Sequence, residues 1–350
     1  MQTLINELKT KITDYIDTGK VPSISIGIIT DNHLYRCEYG FKKLIPIKEK
    51  VDADTIYDLA SLSKVTSTLL LILKLIEEGS LSLDAKVSDY LSDFKYPNIT
   101  IKNLLIHTSG LAADDKHYKE CHNKEEIRSF ICQLPLAYTT DSKVVYSCFN
   151  YILLGFIIEK LKGDMEAYAD QVIFKPLNMN HSGYNPELKG LKERCAATEM
   201  TEARGLIQGN VHDGKAYIIG GVAGNAGVFS TVEDLSHLAL MMLHDGQYDG
   251  KTIFDKKTIE LLKHCYTEGL NESRTLGWFF SDPISDFASK ASQQCLYHTG
   301  FTGTSMYIDL SRNCAIIILT NRVHPTRENN NIAEIRKDLH KTILDYLDKH

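Results

Sequence analysis

The sequence predicts an α+β fold: an antiparallel sheet flanked by helices, joined to a mostly helical domain. Three observations carry this. β-rich runs occur near the start (residues 21–30 and 34–39) and again near the end (296–299, 304–309 and 314–320). A helical pattern with one apolar face borders each of these groups, at the extreme start and the extreme end. The stretch between, from about 86 to 264, reads mostly as helix and loop. The two ends, 1–85 and 265–350, are therefore expected to build one discontinuous α/β domain. Residues 86–264 form the helical domain, with an active site at the seam.

The elements follow in order. Leu4, Ile5, Leu8, Ile12, Tyr15 and Ile16 recur at 3.6 spacing and mark a first helix. Residues 21–30 and 34–39 read as two strands, with Asp31-Asn32-His33 as the hairpin turn. Residues 62–78 are apolar nearly all round, so that helix is buried, and Gly79 stops it. Further helices are expected at 101–106, 124–134, 147–162, 165–173 and 232–243, the last opened by a Thr231/Asp234 capping pair. A final helix carries Ile332, Ile335, Leu339, Ile343 and Leu347 on one face.

Composition narrows the classes. The chain has 350 residues, 43% hydrophobic and 24% charged, which excludes a disordered or low-complexity protein. The net charge of −6 leaves no basic surplus to neutralise phosphates, so nucleic acid is not an expected partner. The most apolar run, 69–76, is broken by Lys74 and is short of the roughly 20 residues that span a bilayer. The N-terminal residues carry acids and lack a signal-peptide pattern, and the eight cysteines are scattered with no C-x-x-C. Reduced thiols and a cytoplasmic location are expected.

Three segments could do chemistry. Ser61-Leu62-Ser63-Lys64 places a hydroxyl at the start of the buried helix and an amine one turn later on the same face. A serine needs a proton acceptor to become a nucleophile, and a desolvated lysine has its pKa lowered towards a useful base. The helix start also offers N–H groups to a developing oxyanion. A second S-x-x-K, Ser92 to Lys95, lies in a polar loop before Pro97 and is set aside. Tyr146 precedes an apolar helix, and a phenol beside a lysine can act as general base. Residues 297–303, Tyr-His-Thr-Gly-Phe-Thr-Gly, run from a strand into glycines that let a substrate backbone approach. An edge strand here could hold an acyl chain through main-chain bonds, and the Phe301 N–H could complete an oxyanion hole.

In this order, SLSK at 61–64, YSC at 146–148 and HTG at 298–300 resemble the serine β-lactamase and penicillin-binding superfamily, in its class C-like branch of DD-peptidases and esterases. LLIHTSGL (104–111), GGVAGNAGVFSTVEDL (220–235), HTGFTGTSMYID (298–309) and LTNRVHPTREN (319–329) are similar to that branch along the whole chain. The resemblance implies a β-lactamase/DD-peptidase-like fold, with Ser61 as the acylated nucleophile. It implies that Lys64 and Tyr146 handle its proton, and that the N–H groups of Ser61 and Phe301 hold the oxyanion. His298 would line the site and hydrogen-bond Tyr146. Cys148, Thr299, Gly300, Phe301 and Asn225 are the expected substrate contacts.

Two departures stand out. Cys148 replaces the family's Asn in Y-x-N, and His298, largely neutral at pH 7, replaces the Lys of K-T-G. A fixed charge for a substrate carboxylate is weakened, which turns the expectation towards esters or amides of small acyl groups. The alternatives are a D-alanyl-D-alanine carboxypeptidase or β-lactamase, and a non-catalytic binding protein of the same fold. His107-Thr108-Ser109-Gly110 lacks the first Gly of G-x-S-x-G and reads as a structural turn, as does His212-Asp213. His117, Cys121, His122 and Cys132 match no zinc spacing, and no phosphate-loop or dinucleotide fingerprint occurs. No metal or cofactor is expected, the partner is a small-molecule ester, amide or β-lactam-like substrate, and the residues do not fix an oligomeric state.

Overall fold

A computed structural model describes residues 1–281, 292 and 294–350. Among these, seven strands form one antiparallel sheet: β1 Ser23–Thr30, β2 His33–Lys43, β3 Glu49–Lys50, β4 Phe279–Phe280, β5 Cys295–Thr299, β6 Ser305–Asp309 and β7 Cys314–Leu319. Their order is β4-β5-β6-β7-β1-β2-β3, so the start of the chain pairs with its end, Gly27 opposite Ile317. The β1–β2 turn has two residues, Asp31 and Asn32, both at positive φ (50° and 62°). That is the geometry a tight hairpin requires, and Asx residues tolerate it.

Alternation along the strands builds two cores. Ile24, Ile26, Ile28, Tyr297, Tyr307, Ile316 and Ile318 face the terminal helices α1 (Gln2–Asp17) and α5 (Ile332–Leu347). Leu296, Met306, Ile308, Ala315, Ile317 and Leu319 face the other way, into the larger core shared with the helical segments. Helix α4, Val232–Leu243, presses against β1 on that face. A Cβ on Gly27 would lie 2.6 Å from Val232 Cγ1, so only glycine fits there. The expected cap is present, with the Asp234 N–H donating to Thr231 Oγ1 at 3.1 Å.

The buried helix differs from its expected form. It opens as a 3₁₀ turn (Ala60–Leu62), widens into a π turn (Lys64–Thr68) and becomes α-helical only over α2, Leu69–Glu77. Hydroxyl groups compete for backbone partners there: Thr66 Oγ1 donates to Leu62 O at 2.9 Å and Thr68 Oγ1 to Gly224 O at 2.7 Å. Helix 165–173 likewise is α-helical only over Met165–Ala169 before a π turn, Asp170–Phe174. The long apolar helix α3 spans Cys148–Lys162. A small sheet, unforeseen because its strands have two or three residues, joins Tyr57–Asp58 and Gly183–Tyr184 on either side of Val228–Ser230. No helix among the described residues is long and apolar enough to cross a membrane.

Candidate active site

The turn carrying Ser61 is held before the helix begins. Leu59 N–H donates to Val228 O at 3.0 Å, extending the small sheet. The buried Asp58 carboxylate accepts from the Ala60 N–H (2.8 Å) and the His212 N–H (2.7 Å). Ala60 itself sits at φ +47°, a left-handed conformation that costs an L-residue about 1–2 kcal/mol and persists only when its surroundings fix it. Asp58 is a support that sequence reading missed; its signal was an Asx residue two positions before the strained one.

Lys64 is fully buried and spends its ammonium on three partners. It donates to Ser61 Oγ at 2.9 Å, to the Asn225 main-chain oxygen at 2.8 Å and towards Cys148 Sγ at 3.6 Å. Burial alone would lower its pKa, but the acidic groups of Cys148 and Tyr146 beside it outweigh burial and hold it above the ordinary lysine value. The expected fall towards a free base is therefore corrected: Lys64 rests as an ammonium.

Tyr146 completes the cluster. Its hydroxyl is buried and, among the described residues, meets the geometry of a hydrogen bond with no neighbour. It nevertheless lies close enough to Lys64 and Ser61 to feel both, and Lys64 Nζ is 5.1 Å from its ring centre. Burial raises the phenol above its usual value, against the pull of Lys64. Two acids share one pocket, and they titrate as a pair. Cys148, the first residue of α3, stands beside them half-buried.

The third segment packs directly on the first. Thr304 Oγ1 donates to Leu59 O (3.0 Å) and Thr302 Oγ1 to Asp58 O (2.7 Å). A Cβ on Gly300 would fall 2.4 Å from Leu59 O, so the glycine allows this approach. Ser61, Tyr146, His298, Thr299, Gly300 and Phe301 thus line one cleft of about 380 Å³. The edge-strand expectation is corrected in part, because β4 covers β5 at Leu296 and Tyr297 and stops short of His298 and Thr299.

Two further expectations change. His298 does not bond Tyr146: its Nδ1 donates to Thr299 O at 2.9 Å, and the two rings are 6.0 Å apart. Burial, then the charges of Arg274 and Lys64, hold it well below the ordinary imidazole value, so it is neutral. Asn225 is fully buried; its amide donates to Asp213 Oδ1 (3.0 Å) and its carbonyl anchors Lys64, which makes it a support of the lysine rather than a wall of the cleft. His117, Cys121, His122 and Cys132 do not converge, and among the described residues no three metal-capable side chains gather.

Arginines were not foreseen. Among the described residues, Arg274, Arg322 and Arg336 line the cleft against one acid, Glu272. Arg274 is wholly buried beneath the Phe279 ring (3.8 Å) and donates through Nε to Glu272, and among the described residues its Nη1 and Nη2 have no partner. Arg336 donates to Gly303 O (3.0 Å) and Gly300 O (2.9 Å), holding the glycine loop from α5. Arg322 lies within the 319–329 segment, which carried no assigned role for it, and Arg274 and Arg336 stand outside any local motif, so no spacing announced them.

An antiparallel sheet backed on one face by both terminal helices, with a Ser–Lys pair opening a buried helix beside it, is the arrangement expected of the serine β-lactamase and penicillin-binding superfamily. The Beta-lactamase family profile matches residues 8–341, and the chain belongs to that family. It is 34% identical over 363 residues to the "Putative D-alanyl-D-alanine carboxypeptidase" of Escherichia coli (strain K12), covering 91% of this chain and 82% of that one. A class C β-lactamase superposes with a TM-score of 0.79 at 18% identity, covering 98% of this chain and 96% of that one. EstCE1, a hydrolase with promiscuous acyltransferase activity, superposes with a TM-score of 0.76 at 19% identity, covering 97% and 99%. At such identities the two structures show the fold alone.

Proposed function

We propose that the protein is a serine hydrolase that forms an acyl-enzyme at Ser61, acting on esters or amides of small acyl groups. The observation that carries this is the 2.9 Å contact between Lys64 Nζ and Ser61 Oγ, with the Tyr146 hydroxyl facing both. Ser61 Oγ attacks the substrate carbonyl carbon and its proton passes to the Lys64–Tyr146 pair once that pair has lost one proton. The N–H groups of Ser61 and Phe301 stabilise the oxyanion. The pair then returns a proton to the leaving group as the carbonyl–leaving-group bond breaks. Water, deprotonated by the same pair, cleaves the acyl-enzyme. The eight cysteines, all unpaired, support a reducing compartment such as the cytoplasm.

The test is turnover of p-nitrophenyl acetate with Ser61→Ala in parallel. Loss of the nucleophile should remove at least about 10³-fold of the rate. Equal turnover in the variant removes Ser61 from the reaction. A folded protein inert to every ester and to fluorophosphonates would instead be a non-catalytic binding protein.

A second reading, a carboxypeptidase or β-lactamase acting on carboxylate-bearing amides, is favoured by the arginines of the cleft and by the name of the Escherichia coli relative. Labelling by a fluorescent penicillin at Ser61, weakened by Arg274→Gln, supports it. Esterase turnover with no labelling rejects it.

A further inference from the structure

His107 lies in the His107-Thr108-Ser109-Gly110 turn, whose sequence reads as structural, yet it touches the chain on both sides of Tyr146. Its carbonyl accepts the Val145 N–H at 2.9 Å, and its ring Nδ1 accepts the Ser147 N–H at 3.2 Å. The imidazole and the Tyr146 ring stand 4.6 Å apart, centre to centre. We propose that His107 is the positioning residue for Tyr146, clamping its backbone on either side and its ring face so that the phenol is aimed at Ser61 and Lys64; this rests on the acyl-serine reading of the site.

The side chain does more than a turn needs. A turn would be served by the carbonyl alone, whereas the ring nitrogen takes a second bond, from Asn150 Nδ2 at 3.2 Å. The orientation of that amide is set, because Asn150 Oδ1 accepts from Ser109 Oγ at 2.6 Å. Two N–H donors meeting Nδ1 place the ring proton on Nε2, which leaves His107 neutral. His107 is wholly buried and sits at φ +60°. A left-handed, non-glycine residue persists where the surroundings over-determine it, and such strain gathers at functional sites. Among the described residues no neighbour gives the Tyr146 hydroxyl a well-formed hydrogen bond, although Lys64 and Ser61 lie close, so its aim depends on what holds the residue from behind.

The experiment compares His107→Ala with His107→Asn, which keeps an acceptor near Nδ1 and tolerates positive φ. His107→Phe, which fills the volume without the nitrogen, replaces the alanine variant where that does not fold. Acylation of Ser61 by p-nitrophenyl acetate is measured per active site, by burst titration, in the native and Tyr146→Phe backgrounds. The loss should be about 100-fold per site in His107→Ala, with KM within about threefold, and His107→Asn should recover at least about tenfold. In the Tyr146→Phe background the same change should cost less than about threefold, as expected for a residue acting through another.

Equal losses in both backgrounds, or fewer titratable sites with an unchanged rate per site, overturn the proposal. A second arm needs no activity: 3-fluorotyrosine at position 146 should give one sharp fluorine resonance in the native protein, broadened or split by His107→Ala and restored by His107→Asn. An unchanged resonance overturns the proposal even where Ser61 proves inert, whereas Ser61-independent turnover overturns the hydrolase reading alone.

Discussion

Arg336 offers a quantitative check on how the glycine loop is held. Its guanidinium reaches from α5 to the carbonyls of Gly303 (3.0 Å) and Gly300 (2.9 Å), which flank Phe301. Arg336→Met keeps the apolar stem and removes both bonds. Hydrogen bonds to a charged donor contribute about 1.5–3 kcal/mol each, and for this half-buried pair the lower end gives about 3 kcal/mol together. The loop also carries Thr302 and Thr304 bonds to Asp58 O and Leu59 O, so it stays in place but loosely. If half to all of the lost energy falls on placing the Phe301 N–H in the transition state, kcat/KM for p-nitrophenyl acetate drops about 10- to 100-fold. The melting temperature falls by about 5 °C. Arg336→Lys should recover little, because an ammonium cannot span both carbonyls. The assay pairs steady-state kinetics with a thermal scan. A lowered melting temperature with unchanged kcat/KM would refute the coupling between α5 and the oxyanion loop.

Three other outcomes follow from the geometry. Because Lys64 and Tyr146 are both held above their ordinary values, the singly deprotonated pair is scarce at neutrality; log kcat/KM should climb with pH through the alkaline range, and Tyr146→Phe should flatten that limb, whereas a rate independent of pH would count against the pair as base. At Glu199, burial raises the carboxyl but Arg327 and His212 outweigh it and hold it at about 2. A depressed carboxyl stabilises the fold above its unfolded value and loses that contribution as pH falls from about 4.5 to about 2; urea unfolding should show a native advantage over Glu199→Gln of at most about 3 kcal/mol at pH 7 that shrinks across this window, and a constant difference would refute it. Gly27→Ala should destabilise by about 1–3 kcal/mol, since its Cβ meets Val232 Cγ1 at 2.6 Å; an unchanged urea midpoint would show that α4 can move off β1.

Long periodic elements were legible in the residues. The faces of α1 and α5, the hairpin at Asp31-Asn32 and the strands β5 to β7 stand within a residue or two of their expected positions. Their patterns repeat over enough residues to signal a period. The two-residue strands at Tyr57–Asp58 and Phe279–Phe280 carry no period, and only tertiary pairing creates them. At the site, the order SLSK, YSC, HTG pointed to Ser61, Tyr146 and His298, which line one cleft, whereas Lys64 lies buried behind Ser61 and Cys148 is not among the lining residues. What the motifs could not carry was context from elsewhere in the chain. The state of Lys64 is set by Cys148 and Tyr146, some eighty residues away, and the tautomer of His298 by its neighbour's carbonyl. His107 and Arg336 act through backbone contacts, and Arg274 through the Glu272 side chain, with no sequence signature for any of them.

Intact-mass spectrometry of the protein quenched during turnover of p-nitrophenyl acetate tests the acyl-serine directly. A gain of one acetyl group, mapped to the peptide holding Ser61 and absent from Ser61→Ala, is the expected result. Full turnover with no adduct at any quench time, or an adduct that persists in Ser61→Ala, would contradict it.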